Sequence, residues 1–237
     1  MNRKSNNIIE ITKKNYKWRT QLPAIIWNKD NKFLDENNKI INPFYHEIFE
    51  QYLMYKWIKP DDIVLELGSR YGIISCTINS MLNNKKNHVV VDPDKNILKP
   101  LKLNKKNFKA EFKICNKAIS NTPLNFILHK NGIGNFTVEK NKINNNKNVI
   151  NIPNITSKQF FTKYPLNFNV LIADCEGCLF KFFNENMFLL NQLNLIIFEK
   201  DNEENCDYNK VIKLLKNNNF IKVDSLLNDF QQVWIKK

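Results

Sequence analysis

The chain has 237 residues, 43% of them hydrophobic, which suffices for one large domain with a full core and argues against compositional disorder. No apolar run approaches the roughly 18–20 residues of a bilayer span, and the polar start lacks the apolar stretch of a secretory signal, so a cytoplasmic location is expected. The net charge of 36 − 23 = +13 favours anionic partners such as nucleic acid, phosphorylated glycans or lipid headgroups, but the lysines are dispersed and mixed with asparagine, a pattern that AT-rich coding produces without any binding role.

Residues 1–41 are polar and lysine-rich, with short apolar pieces such as Ile8-Ile9 and Ala24 to Trp27. They read as an N-terminal extension that packs on the domain or covers its cleft, leaving 42–237 as the domain proper. Asn42-Pro43 opens a helical pattern from Tyr45 to about Trp57, with Ile48, Phe49, Tyr52 and Tyr55 at helical spacing. From there strands and helices alternate. Ile63 to Leu67 is a buried strand, Ile73 to Leu82 a helix, Val89 to Val91 a strand, Asn96 to Asn104 a helix and Phe112 to Cys115 a strand. Such alternation predicts βαβ units on a parallel sheet.

The middle is less regular. Leu124 to Leu128 and Phe136 to Val138 read as short strands around Gly132 and Gly134, and 140–151 as an Asn/Lys/Ile loop. Alternation resumes with a helix near Ser157–Lys163, a strand over Asn169–Ala173, a helix over Phe180–Leu190, a strand over Leu195–Phe198 and a helix over Tyr208–Leu215. Phe220–Val223 and Gln232–Ile235 follow with no helix between them, which predicts an antiparallel hairpin at the end of a mostly parallel sheet.

The strongest motif is Glu66-Leu67-Gly68-Ser69-Arg70-Tyr71-Gly72, placed after the first strand and opening a helix. Gly68 permits close approach of a ligand to the backbone, and Gly72 lets the helix start against the strand. This is a nucleotide-binding turn at the carboxyl edge of an open sheet. It lacks the three glycines of a dinucleotide site and the lysine of a P-loop, and Glu66 suits a cationic amino-acid end better than a pyrophosphate. Asp92, 24 residues beyond Gly68 and followed by Pro93, is placed to accept ribose hydroxyls, the competing role being a helix N-cap.

Asp174-Cys175-Glu176-Gly177 puts two acids at the mouth of the central strands, where Asp174 can orient a substrate, hold a metal or act as a base. Capping of the next helix is the plainer role. Asp174 with Asp201 and Asn202 would suit magnesium, but a charged, solvated loop is the expected reading there, so no metal ligand is assigned. Of the histidines, His88 reads as structural, His129 ends a strand before Gly132 where it can face the cleft, and His46 lies in the helix before the glycine turn; each is a candidate general base without a partner that the sequence names. Cys175-x-x-Cys178 reads as two thiols in a tight turn, since five cysteines without regular spacing make no disulfide framework.

Taken together, these residues resemble the FkbM family of methyltransferases over about His46 to Trp234. The resemblance rests on Val64 to Gly72, Val91 to Asp94, Leu101 with Asn104, Lys117 to Ser120, the D-x-E-G element Asp174–Gly177, and Ile196 to Glu199. It implies a Rossmann-like class I methyltransferase fold: a central, mostly parallel seven-stranded sheet, helices on both faces and a C-terminal antiparallel hairpin. It also implies S-adenosylmethionine as cofactor, held by Glu66, Gly68, Ser69, Arg70, Tyr71, Gly72, Asp92, Pro93, Lys117, Ala118 and Asp174, with Asp174, Glu176 and His129 as catalytic candidates. The implied reaction is O-methylation of a sugar, glycan or small metabolite. Glu66, Ser69 and Arg70 stand where the family usually has Asp, Ala and Asn, and Asp92 where it has Glu. An RNA or DNA methyltransferase, or a non-catalytic cofactor-binding protein, are the alternatives. The Lys/Asn bias suits an AT-rich microbe or a large DNA virus, the latter placing the protein in host cytoplasm.

Overall fold

A computed structural model describes residues 32–43, 46–127, 136–139 and 149–237. His129, Gly132 and Gly134 lie outside the described residues, as do Phe44, Tyr45 and most of the expected 140–151 loop. In chain order the elements are β1 (Phe33–Leu34), β2 (Ile40–Ile41), α1 (Ile48–Trp57), β3 (Val64–Leu67), α2 (Ile73–Met81), β4 (His88–Val91), α3 (Leu98–Asn107), β5 (Lys113–Cys115), β6 (Ala118–Ile119), β7 (Leu124–Ile127), β8 (Phe136–Glu139), β9 (Val149–Asn151), β10 (Asn154–Ile155), α4 (Ser157–Lys163), β11 (Val170–Ala173), α5 (Leu179–Glu185), α6 (Leu189–Gln192), β12 (Leu195–Glu199), α7 (Tyr208–Asn217), β13 (Phe220–Leu226) and β14 (Gln231–Lys236).

Seven strands form the central sheet in the order β13-β14-β12-β11-β3-β4-β5. From β12 to β5 every pairing is parallel, whereas β14 runs antiparallel to both β12 and β13. The parallel strands are buried on both faces, which is why they read as continuous apolar runs rather than alternating ones. Their residues divide between two cores. Leu65, Val89, Leu171 and Ile196 pack with Phe160, Phe183 and Leu215 on one face, while Val64, Val170, Ile172 and Ile197 pack with Leu53, Met54 and Ile78 on the other. The chain builds outward from β3 to β5 and then returns to lay β11 on the other side of β3. The carboxyl ends of β3 and β11 therefore flank the switch point of the sheet, where open α/β sheets hold ligands. Among the described residues no helix is long and apolar enough to cross a membrane.

Three expectations are corrected. Helix α1 does not bury Tyr55, which is 39% exposed; its inward face carries Phe49, Glu50, Gln51, Leu53 and Met54. Ile48 is buried as expected and Tyr52 is half-buried against the core that Leu53 and Met54 join, while Lys56 and Trp57 bond to Asp224 of β13. The helix expected over Phe180–Leu190 breaks at Asn186, whose side chain donates back to the Phe182 carbonyl; the chain then turns and resumes as α6. Part of the expected 140–151 loop is β9, paired with β7. Within the N-terminal extension, Phe33 and Leu34 form a hairpin with Ile40 and Ile41. Phe33 stacks on Phe108 at 4.1 Å between ring centroids, and the Asn104 side chain bonds both the amide and the carbonyl of Leu34.

Candidate functional site

A cleft of about 520 Å³ opens at the carboxyl edge of β3, β4 and β11, within the size range of small-molecule sites. Its floor is the turn after β3. Gly68 has φ +84°, and a Cβ there would stand 1.7 Å from the Asp174 carbonyl oxygen. Only hydrogen fits, because the turn and the segment leaving β11 touch at this point. The Ser69 and Arg70 amides both donate to Asp92 Oδ2, at 3.0 and 2.9 Å. In a phosphate-binding turn such amides face the ligand; here a buried carboxylate from the neighbouring strand already fills the nest. Among the described residues Asp92 Oδ1 takes the Asp94 amide alone and keeps acceptor capacity, and Asp92 lines the cleft. Burial raises the Asp92 pKa against the lowering effect of these amides.

The far wall is Asp174–Gly177. Glu176 and Gly177 have positive φ, +52° and +89°, and the loop is held by Asp201. That carboxylate accepts the amides of Glu176 and Gly177, at 2.5 and 2.8 Å, and the Tyr208 hydroxyl at 2.5 Å. Asp201 is also buried rather than part of a solvated loop, with both oxygens engaged in bracing its neighbours. The Asn202 carboxamide is likewise engaged, with Asn205. Cys175 and Cys178 are joined as a disulfide with Cα atoms 5.5 Å apart, which corrects the expectation of two thiols: the turn brings the pair within bridging distance. Cys76, Cys115 and Cys206 are free and buried. Asp174 does not cap α5, whose N-cap is Cys178.

Carboxylates crowd this wall. Burial, followed by the charges of Glu199 and Asp201, raises the Asp174 pKa well above the carboxylate range. Burial, then Asp174 and Glu199, does the same to Glu50. Glu47, at the left-handed N-cap of α1, is pushed up to about 8 by burial and then by Glu66, with Arg70 opposing. Each ionised neighbour makes the next ionisation harder, and a cation entering the wall would ease it.

Of the expected cofactor residues, Glu66, Gly68, Ser69, Arg70, Asp92, Pro93, Ala118 and Asp174 line the cleft, and so does Glu176. Glu66 does so with both oxygens committed: fully buried, it accepts from Ser75 at 2.8 Å and pairs with His88 Nε2 at 2.8 Å. The Glu66 carboxylate thus ties α2 to β4 rather than presenting a free charge, and His88 takes a structural part. Tyr71 and Gly72 are turned away. The Tyr71 ring packs in the core near Ile73 and Leu101, its hydroxyl bonds Glu36, and the Arg70 guanidinium lies 4.8 Å over it. A Cβ at Gly72 would meet Leu101 at 2.7 Å, so this glycine serves helix packing. Lys117 is exposed and lies outside the lining. Glu47, Glu50 and Glu199 were not expected at the site. Glu50 was legible as a carboxylate within the apolar stripe Phe49, Leu53, Met54; Glu47 and Glu199 carry no such signal.

No protein-family model and no curated protein matches the chain. Among solved structures it is similar to an rRNA methylase from Streptococcus thermophilus, with 9% identity, a TM-score of 0.49 and coverage of 84% of this chain and 98% of that one. It is also similar to a ribosomal protein L11 methylase from Lactobacillus delbrueckii subsp. bulgaricus, with 10% identity, a TM-score of 0.45 and coverage of 79% and 77%. A third is a precorrin-6y C5,15-methyltransferase from Geobacter metallireducens, with 8% identity, a TM-score of 0.47 and coverage of 80% and 87%.

Proposed function

We propose that the protein is an S-adenosylmethionine-dependent methyltransferase of the class I, FkbM-like kind, acting on a hydroxyl of a sugar, glycan or small metabolite. One observation carries this reading: the sign of the cleft. In a chain of net charge +13, the lining holds the carboxyl groups of Glu47, Glu50, Glu66, Asp92, Asp94, Asp174, Glu176 and Glu185 against Arg70 and Lys181 among the described residues, with Glu66 paired to His88. Such a lining disfavours the phosphates of NAD or ATP and suits a ligand carrying a sulfonium and an ammonium. The antiparallel β14 beside β12 also fits the methyltransferase type of doubly wound sheet better than the all-parallel dinucleotide type.

When bound, S-adenosylmethionine supplies an electrophilic methyl group. Asp92 Oδ1 would accept ribose hydroxyls, Pro93, Ala118 and Ile119 would wall the adenine, and Gly68 lets the cleft floor pack against the segment leaving β11. Asp174 faces the reacting end of the cleft. Burial among carboxylates raises its pKa, which suits a group that would accept the proton of the substrate hydroxyl. Alignment in the closed wall supplies most of the remaining advantage.

Titration calorimetry with S-adenosylmethionine, its demethylated product, NAD and ATP tests the reading, followed by transfer of labelled methyl to a panel of glycans, metabolites and RNAs. Binding of NAD or ATP in place of the first two overturns it. A second reading, methylation of RNA, is favoured by a shallow depression lined by Lys102, Lys105 and Lys106 on α3. It predicts a gel shift that weakens steeply with salt.

A further inference from the structure

Helix α1 carries Glu50 to the cleft wall, where it meets Asp174 from the end of β11 and Glu199 from the end of β12. One carboxylate oxygen of each lies within 4.8 Å of the other two. Ca²⁺ holds oxygens at about 2.3–2.6 Å, so its ligands stand at most about 5 Å apart, a limit this triad meets; Mg²⁺, at about 2.0–2.1 Å, would draw the three oxygens closer, to about 4 Å or less. Its members come from three separate elements, so local chain geometry does not account for their meeting.

A second observation concerns Glu50 alone. It is 8% exposed and lines the cleft, yet among the described residues no donor bonds its carboxylate and no lysine or arginine pairs with it. Buried carboxylates are ordinarily paired or bound to metal. Beside it, Glu47 Oε2 is also buried without a hydrogen-bond partner.

We propose that Glu50, Asp174 and Glu199 form a binding site for one divalent cation of the Mg²⁺, Mn²⁺ or Ca²⁺ kind. Oxygen ligands without histidine or thiolate select these ions over zinc or copper. Three carboxylate oxygens converging from separate elements match the several oxygen ligands a hard dication takes. The open side toward the cleft leaves room for water or a substrate oxygen in the remaining coordination positions. The ligand set differs from the Asp174, Asp201 and Asn202 combination considered from sequence, because Asp201 is occupied by its own loop. The site stands on this geometry and does not depend on the methyltransferase reading.

The test is Mn²⁺ titration of chelator-stripped, cofactor-free protein, followed by electron paramagnetic resonance and by melting temperature, with Mg²⁺ as competitor. The wild type is expected to bind one Mn²⁺ tighter than about 10⁻³ M and to melt higher with it. Glu50→Gln should weaken binding by about tenfold or more and lose the thermal shift, while the surface control Glu204→Gln retains both. Since Gln keeps the shape of Glu50 and removes the cost of ionising a buried carboxyl beside Asp174 and Glu199, Glu50→Gln should melt no lower than wild type in chelator. If it fails to fold, Glu199→Gln answers the same question. The proposal is overturned by absence of bound Mn²⁺ at millimolar concentration, by unchanged affinity in the folded variant, or by alkylammonium binding that Mn²⁺ does not displace. Because no S-adenosylmethionine is present, failure here is distinct from failure of cofactor binding.

Discussion

Replacing Gly68 by alanine attacks the point where the floor and far wall of the cleft meet. The new Cβ would lie 1.7 Å from the Asp174 carbonyl oxygen and 2.7 Å from its carbon, whereas carbon and carbonyl oxygen normally approach to about 3.3 Å. Relief requires the two segments to part by about 1.6 Å. Both contacts are backbone, so no rotamer change helps. Opening by that amount lengthens the 3.0 Å bond from the Asp174 amide to the Leu67 carbonyl beyond hydrogen-bonding range. Left-handed backbone at alanine costs about 1–2 kcal/mol, the lost bond about 1 kcal/mol and the overpacking about 1–3 kcal/mol. The sum, about 3–6 kcal/mol, is a large share of a typical domain stability of about 5–15 kcal/mol. Gly177→Ala is the comparison, since its Cβ would meet Asn205 at 3.1 Å and the Asn202 carbonyl at 3.3 Å, leaving mainly the φ cost of about 1–2 kcal/mol. Urea unfolding of both variants, with cofactor titration of the folded fraction, reads the difference. A Gly68→Ala protein within about 1 kcal/mol of wild type, binding cofactor normally, would refute the close-approach argument.

Three further outcomes follow from the same site. Asp201→Ala should cost about 2–4 kcal/mol by stranding the Glu176 and Gly177 amides, whereas Tyr208→Phe should cost only about 1 kcal/mol; equal losses in denaturant melts would contradict the brace. Asp92→Ala should weaken cofactor binding by about 1.5–3 kcal/mol and also lower the melting temperature, since it frees the Ser69 and Arg70 amides; calorimetry and melting must both move. Glu47, whose pKa rises from 4.5 to about 8 through burial and the Glu66 charge, binds its proton more tightly folded than unfolded, so stability falls as pH rises across that window. In chelator, Glu47→Gln should flatten this slope and melt about 2–4 °C or more above wild type at pH 8; a melting temperature below wild type there would reverse the sign.

The strands of the sheet were readable because parallel strands buried on both faces leave continuous apolar runs, as in Leu195 to Phe198, and because Gly68 and Asp92 mark their ends. The cleft floor was readable for the same reason. Partnership was not. Sequence places Glu66 and Asp201 beside the site but cannot say that Ser75 and His88 engage the first, or that a loop from β11 and Tyr208 engage the second. Glu50 was missed because a carboxylate beside Phe49 reads as a solvated helix position, and only packing on the sheet turns it toward the cleft. Short pairings such as β6 with β10 depend on contacts across 36 residues and leave no local pattern.

The placement of β14 bears on how the molecule assembles. This strand follows β13 in synthesis but sits between β13 and β12, so neither neighbour reaches its final pairing until residues 231–236 are available. Before then β12 presents an unpaired edge to solvent, and such an edge is a template for pairing with another chain. The parallel core from β5 to β12 can form first, with insertion of the final hairpin as a late event that seals the edge. Aggregation during expression should thus respond more to weakening of the Ile196–Trp234 and Ile197–Val233 pairings than to changes at the opposite margin of the sheet, where β5 is the end strand.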